Sequence, residues 1–116
     1  MPGDAFVPDA GDIVWINFDP QVGHEQSGHR PVLILSHDIF NARSGTVIAV
    51  ALTSQPQKAG FPLTLEIKIP ELRRPTWAKI SQIRTLSVER IGKRLGRFSS
   101  SEVTKVIEGL NEILGE

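Results

Sequence analysis

Only one stretch of this chain repeats its apolar residues at helical spacing, and that limits what the rest can fold into. Val103, Val106, Ile107, Leu110, Ile113 and Leu114 follow at i, i+3, i+4 and i+7 offsets, the stripe of an amphipathic helix. Ser99-Ser100-Ser101-Glu102 just ahead of them has the capping-box pattern. In that pattern the Ser hydroxyl and the Glu carboxylate satisfy opposite backbone N–H groups. Upstream, Pro, Gly, Asn and Asp cut the apolar residues into runs too short for helices and rich in β-branched side chains. Such runs read as strands.

Gly11–Phe18 (GDIVWINF) reads as a strand buried on both faces, and Pro31–Ser36 as a second strand with its proline at the tolerated first position. Thr46–Thr53 is a third, central strand. Pro62–Ile67 alternates, as a strand with one wet face does. Trp77–Leu86 holds one or two short strands and Gly92–Phe98 another, while His37–Ser44 has room for one or two helical turns. Short strands closed by a single helix predict a small, strongly bent antiparallel barrel. With 116 residues and no internal repeat, one domain over 11–116 is expected, preceded by a flexible N-terminal segment over 1–10.

Several function classes drop out. There is no cysteine, which removes disulfides, thiolate zinc sites and a cysteine nucleophile. No apolar run approaches the roughly 20 residues of a membrane span. Met1–Ala10 lacks a basic, then apolar, leader pattern, so a soluble cytoplasmic protein is the expectation. His24, His29 and His37 are spaced H-x4-H-x7-H, not a characteristic ligand pattern, and no metal or cofactor is expected. P-loop, G-x-G-x-x-G and G-x-S-x-G patterns are absent. A Ser-His-Asp triad, assembled in space, is left open by counting alone.

Net charge is zero, yet residues 68–97 hold nine Lys and Arg against Glu71 and Glu89. A local basic stretch can bind a polyanion, or merely form a solvated face. Asp19–Arg30 (DPQVGHEQSGHR) reads as a long loop that gathers His24, Glu25, Gln26, His29 and Arg30 between two strands. A long loop inside a compact domain is often functional. RNA cleavage by internal attack suits such a set. The substrate brings its own 2′-OH nucleophile, so the protein needs only proton transfer and phosphorane stabilisation. DNA, which lacks that hydroxyl, is inert by this route.

The run VPDAGDIVWINFDPQVGHEQSGHRPVLILS, Val7 to Ser36, resembles the N-terminal signature of the MazF/PemK toxins. It contains G-D-[IV]-x(4)-F-x-P followed by G-x-E-Q-x-G-x-R-P. AVALTSQ (Ala49–Gln55) and ISQIRTLS (Ile80–Ser87) agree as well, so the resemblance spans nearly the whole chain. It implies a mainly β fold with short helices, an SH3-like barrel of the CcdB/PemK type with a C-terminal α-helix, acting as a homodimer. It implies a sequence-specific, metal-independent endoribonuclease, an mRNA interferase leaving 2′,3′-cyclic phosphate and 5′-OH ends. A cognate MazE-like antitoxin would neutralise it by inserting an acidic tail into the groove for single-stranded RNA.

The family's essential Arg and Thr fall on Arg30 and Thr53. By resemblance Arg30 stabilises the phosphate and takes part in proton transfer, and Thr53 donates to a non-bridging oxygen. A guanidinium is a poor base because it stays protonated, so Glu25 and His29 join the catalytic set as proton carriers. Gln82 and Arg84 match RNA-contacting positions; Gln26, in the matching E-Q pair of the loop, and His24, where many relatives carry Ser, are added as expected RNA contacts. Ser81 stands where others carry an acidic residue, which points to a different base preference. Trp77 and Lys79, in the basic stretch beside Arg73 and Arg74, complete the expected RNA contacts, since aromatics among cations can stack unpaired bases. CcdB-type relatives share the barrel yet act by docking on DNA gyrase, so the barrel alone does not decide the function; the loop Arg and the strand-end Thr do.

Overall fold

The computed structural model describes residues 7–17 and 29–115. Six strands form one antiparallel sheet: β1 (Asp12–Asn17), β2 (His29–Ile34), β3 (Thr46–Thr53), β4 (Thr64–Ile67), β5 (Thr76–Ser87) and β6 (Ile91–Arg97). Their order across the sheet is β4-β5-β3-β2-β1-β6. A short helix α1 (Asp38–Ser44) links β2 to β3, and α2 (Ser100–Ile113) closes the chain. The mainly β architecture with a C-terminal helix is the one expected. The sheet curls until its edges meet. On β6, a β-carbon at Gly96 would lie 2.6 Å from Ile69 Cδ1, which belongs to the β4–β5 connection.

Alternation along the strands divides the core in two. Ile13, Leu33, Val50, Leu52, Ala78 and Ile80 bury against Phe98, Val103 and Val106, so α2 caps this first cluster. The opposite face buries Val14, Ile16, Val32, Ile34, Val47, Ala49 and Leu86. β1 feeds both clusters, as a doubly buried strand must. Of the expected stripe, Ile107 on α2 and Leu114 just past its end stay exposed. Ser99 Oγ accepts from Glu102 N at 3.3 Å, but the Glu102 carboxylate accepts from the Ser99 hydroxyl at 2.9 Å. Half of the capping box is therefore replaced by a side-chain pair.

Of the segment 1–10, expected to be flexible, residues 1–6 lie outside the described residues, and Pro8 and Asp9 bond to α1. Buried Asn41 donates to the Pro8 carbonyl at 2.8 Å. Asp9 Oδ1 accepts from Ala10 N at 2.8 Å and from Asp38 N at 3.0 Å. Burial opposes the charge on Asp9, but those N–H groups and the Arg97 guanidinium outweigh it and hold the carboxyl below its ordinary value. Asp12, only 1% exposed, accepts from Arg97 at 2.7 Å and from Arg94 at 3.3 Å. Arg90 donates to the Asn17 carbonyl at 3.0 Å. The C-terminal half of the basic stretch thus braces β6 against β1. Among the described residues, no helix is long and apolar enough to cross a membrane.

Candidate active site

The site starts from register. β1 and β2 align Ile16 with Arg30 and Asn17 with His29. β2 and β3 align Val32 with Ala51, the last pair between them at this end, and Arg30 and Thr53 each lie two residues further along their strands. On β2, Arg30 shares a face with Val32 and Ile34; on β3, Thr53 shares a face with Ala51, Ala49 and Val47. Four of these five apolar neighbours are fully buried in the second core cluster, and Ala51 is half-buried. The guanidinium and the hydroxyl therefore lie where a buried sheet face runs out into solvent.

β5 supplies the opposite wall through an irregularity. It pairs Ala49 with Arg84 and Val50 with Ile83, then Ala51 with Lys79. Ile80, Ser81 and Gln82 are extra residues with no partner on β3. Bulges re-aim side chains in this way. Were this stretch paired without the irregularity, Lys79 and Arg84, five positions apart, would point to opposite faces. With it, both sit beside alanines on the face that carries Thr53.

Arg30, Thr53, Lys79, Gln82 and Arg84 line one groove of about 990 Å³, together with His29, Trp15, Ser54, Gln55, Glu71, Leu72, Arg73, Arg74 and Leu95. The small side chain of Ala51 on β3 leaves room. Gln55 N donates to Thr53 Oγ1 at 3.1 Å, which holds the oxygen and leaves its proton available for a ligand. Arg30 is exposed, and among the described residues no carboxylate pairs with it. Also among the described residues, no three His, Asp or Glu side chains converge as a metal cage. Such a groove presents cations and one oriented hydroxyl to an anion, with Trp15, Leu72 and Leu95 as an apolar wall.

Six of the ten expected site residues thus meet here: Arg30, Thr53, His29, Lys79, Gln82 and Arg84. Trp77 does not line the groove; it pairs with Thr53 and Glu66 in the sheet and is half-buried. His24, Glu25 and Gln26 lie outside the described residues. Sequence reasoning leaves out Ser54 and Gln55, and it places Trp15 in a strand buried on both faces. The signal for Ser54 and Gln55 was their place directly after the strand-end Thr. Trp15 gave none, because an aromatic in a buried strand reads as core.

Residues 9–114 match the family model described as PemK-like, MazF-like toxin of type II toxin-antitoxin system. The chain is 31% identical over 111 residues to the endoribonuclease toxin MazF of Escherichia coli (strain K12), covering 95% of this chain and 96% of that protein. It is 36% identical over 102 residues to endoribonuclease EndoA of Bacillus subtilis (strain 168), covering 86% and 88%. Among solved structures it is similar to MazF (Form-I) from Deinococcus radiodurans, with TM-score 0.76, 32% identity, and 96% and 99% of the two chains covered. A MazE-MazF complex (Form-II) from the same organism matches with TM-score 0.76 and 27% identity, over 95% and 97% of the chains.

Proposed function

The chain belongs to the PemK-like, MazF-like toxins of type II toxin-antitoxin systems, and from that premise we infer that its groove cuts single-stranded RNA at the phosphate held between Arg30 and Thr53. It is an RNA-cleaving toxin neutralised by a cognate antitoxin of the MazE type. The observation that supports the site assignment is that Arg30 and Thr53, on neighbouring strands β2 and β3, line the same groove.

In this reading the 2′-OH attacks the adjacent phosphorus, the 5′-oxygen leaves, and the products are a 2′,3′-cyclic phosphate and a 5′-OH. Arg30 neutralises charge growing on the non-bridging oxygens, and Thr53 donates to one of them. His29, at the groove edge, and Glu25 shuttle the protons. Lys79 and Arg84 hold flanking phosphates, and Gln82 reads a base edge; Gln26 and His24 complete the recognition surface from the loop. No metal takes part. Trp77, paired with Thr53 at the end of β3, offers a base a stacking surface beside the groove. A homodimer in the cytoplasm, where the RNA substrate is, completes the reading; the exposed Ile39 and Phe40 on α1 offer apolar surface for association.

The test is cleavage of a single-stranded RNA by the wild type and by Arg30→Ala, each with and without EDTA. Wild-type cutting survives the chelator, and the variant loses cutting while its circular dichroism is unchanged. Equal cutting by the two proteins removes Arg30 from the mechanism, and loss of wild-type cutting in EDTA brings a metal back into it.

A further inference from the structure

The nine cations of the basic stretch do not all have the same task. Arg90, Arg94 and Arg97 are committed to holding the fold, and Lys79 and Arg84 lie in the groove. Lys93 is exposed on β6 and lines neither the groove nor the cleft beside it, which leaves Lys68, Arg73 and Arg74. They line a second cleft of about 420 Å³, next to the groove and sharing Leu72, Arg73 and Arg74 with it. All three are exposed, and among the described residues none pairs with a carboxylate. Glu66 is the one acidic side chain in that lining.

We propose that this cleft is an accessory subsite for phosphates of the RNA outside the cut site. The inference rests on reading the neighbouring groove as the RNA site. A polymer held in an open groove has to leave it, and each nucleotide that leaves carries a charge. The ridge between the two depressions carries two guanidiniums that face both, so a strand crossing it stays compensated. Arginine suits this, because its planar fork pairs with phosphate oxygens in bidentate fashion.

The loop is also shaped in advance. Pro70 and Pro75 restrict its backbone, Leu72 N donates to the Ile69 carbonyl at 3.1 Å, and Thr76 Oγ1 donates to the Arg74 carbonyl at 3.1 Å. Little ordering entropy remains to be lost on binding. Ile69, Pro70 and Pro75 give the cleft apolar walls beside its cations. A nucleotide, with a flat base next to its phosphate, fits that mixture better than a row of carboxylates does.

The experiment measures binding of two uncleavable 2′-O-methyl RNAs as salt is varied. One spans the mapped cut site; the other extends beyond it on both sides. Each phosphate neutralised on a single strand contributes about 0.7 to the slope of log affinity against log salt. Two extra contacts make the long RNA's slope steeper by about 1.4, or about sevenfold more affinity lost over a fourfold rise in salt. Lys68→Gln, which touches the cleft and not the groove, reduces that excess, and the triple variant Lys68→Gln/Arg73→Gln/Arg74→Gln abolishes it.

Equal slopes for the two RNAs on the wild-type protein overturn the proposal without any variant. So does an excess slope that persists in the triple variant. A polyglutamate peptide whose affinity falls in Lys68→Gln while the RNA excess stays intact assigns the cleft to an acidic protein segment instead. A wild-type protein that binds neither RNA overturns the underlying RNA reading as well.

Discussion

Replacing Gly11 and Gly45 by alanine, one at a time, separates two costs that are usually merged. Both glycines have positive φ, +97° and +72°. A β-carbon at Gly45 meets nothing within 4 Å, whereas one at Gly11 would sit 2.7 Å from the Phe98 carbonyl oxygen. Gly45→Ala therefore carries the left-handed backbone penalty alone, about 1–2 kcal/mol. Restricting the unfolded chain offsets about 0.4–1 kcal/mol of it, for a net loss of about 1 kcal/mol. Gly11→Ala adds overpacking of about 1–3 kcal/mol. The obstacle there is backbone, not the free end of a side chain, so it cannot rotate away. Phe98 N donates to the Gly11 carbonyl at 2.7 Å, and Gly11 N donates to the Ile34 carbonyl at 2.8 Å. Any retreat loosens the seam where α2 joins the sheet. The expected loss is about 3 kcal/mol for Gly11→Ala against about 1 for Gly45→Ala. At about 4 °C per kcal/mol for a domain of this size, that is a Tm drop of about 12 °C against about 4 °C. Guanidinium melts followed by circular dichroism measure both. Equal losses in the two variants refute the close-approach argument, and an undiminished Gly45→Ala refutes the backbone penalty.

Thr53→Val keeps the shape and removes the hydroxyl; kcat should fall at least about 100-fold, as when one oxyanion donor is lost, and a fall below tenfold in single-turnover cleavage excludes the donor role. Asp12→Asn removes charge from a buried carboxylate held by two arginines; water around their half-exposed side chains reduces the roughly 3–5 kcal/mol of a buried pair to about 1–2, which urea denaturation resolves. The Asp9 carboxyl lies below its ordinary value of 3.8 in the folded protein. Its stabilisation is thus complete above that value and disappears as pH falls through the lower, folded one. The stability gap between wild type and Asp9→Asn should accordingly close on the acid side of pH 4, and a gap that stays constant with pH excludes the linkage.

Much of this molecule is legible in its sequence because local chemistry and global packing agree. Thr46–Thr53 runs as a strand between Gly45 and a polar turn, and β3 has those same bounds. The amphipathic stripe predicts α2 and most of its buried face. Long-range geometry is less legible. Nothing local says that Trp77–Leu86 forms one strand of twelve residues, Thr76–Ser87, because its continuity depends on partners on β3 and β4. Nor does the composition of 68–97 reveal that Arg94 and Arg97 turn toward buried Asp12 while Lys79 and Arg84 turn toward the groove. That division follows from which face each strand presents, and pairing decides it. Trp15 shows the same limit: its neighbours bury, yet the curl of the sheet brings it to the groove wall.

The three residues of β5 left without partners on β3 make the groove's charge a property of strand pairing and not of composition. A change that drew 79–84 out into unbroken pairing would keep every cation and still divide Lys79 and Arg84 between the two sides of the sheet. Half of the charge that β5 gives the groove would then vanish with no charged residue altered, a loss that an alanine scan of the cations alone would never trace.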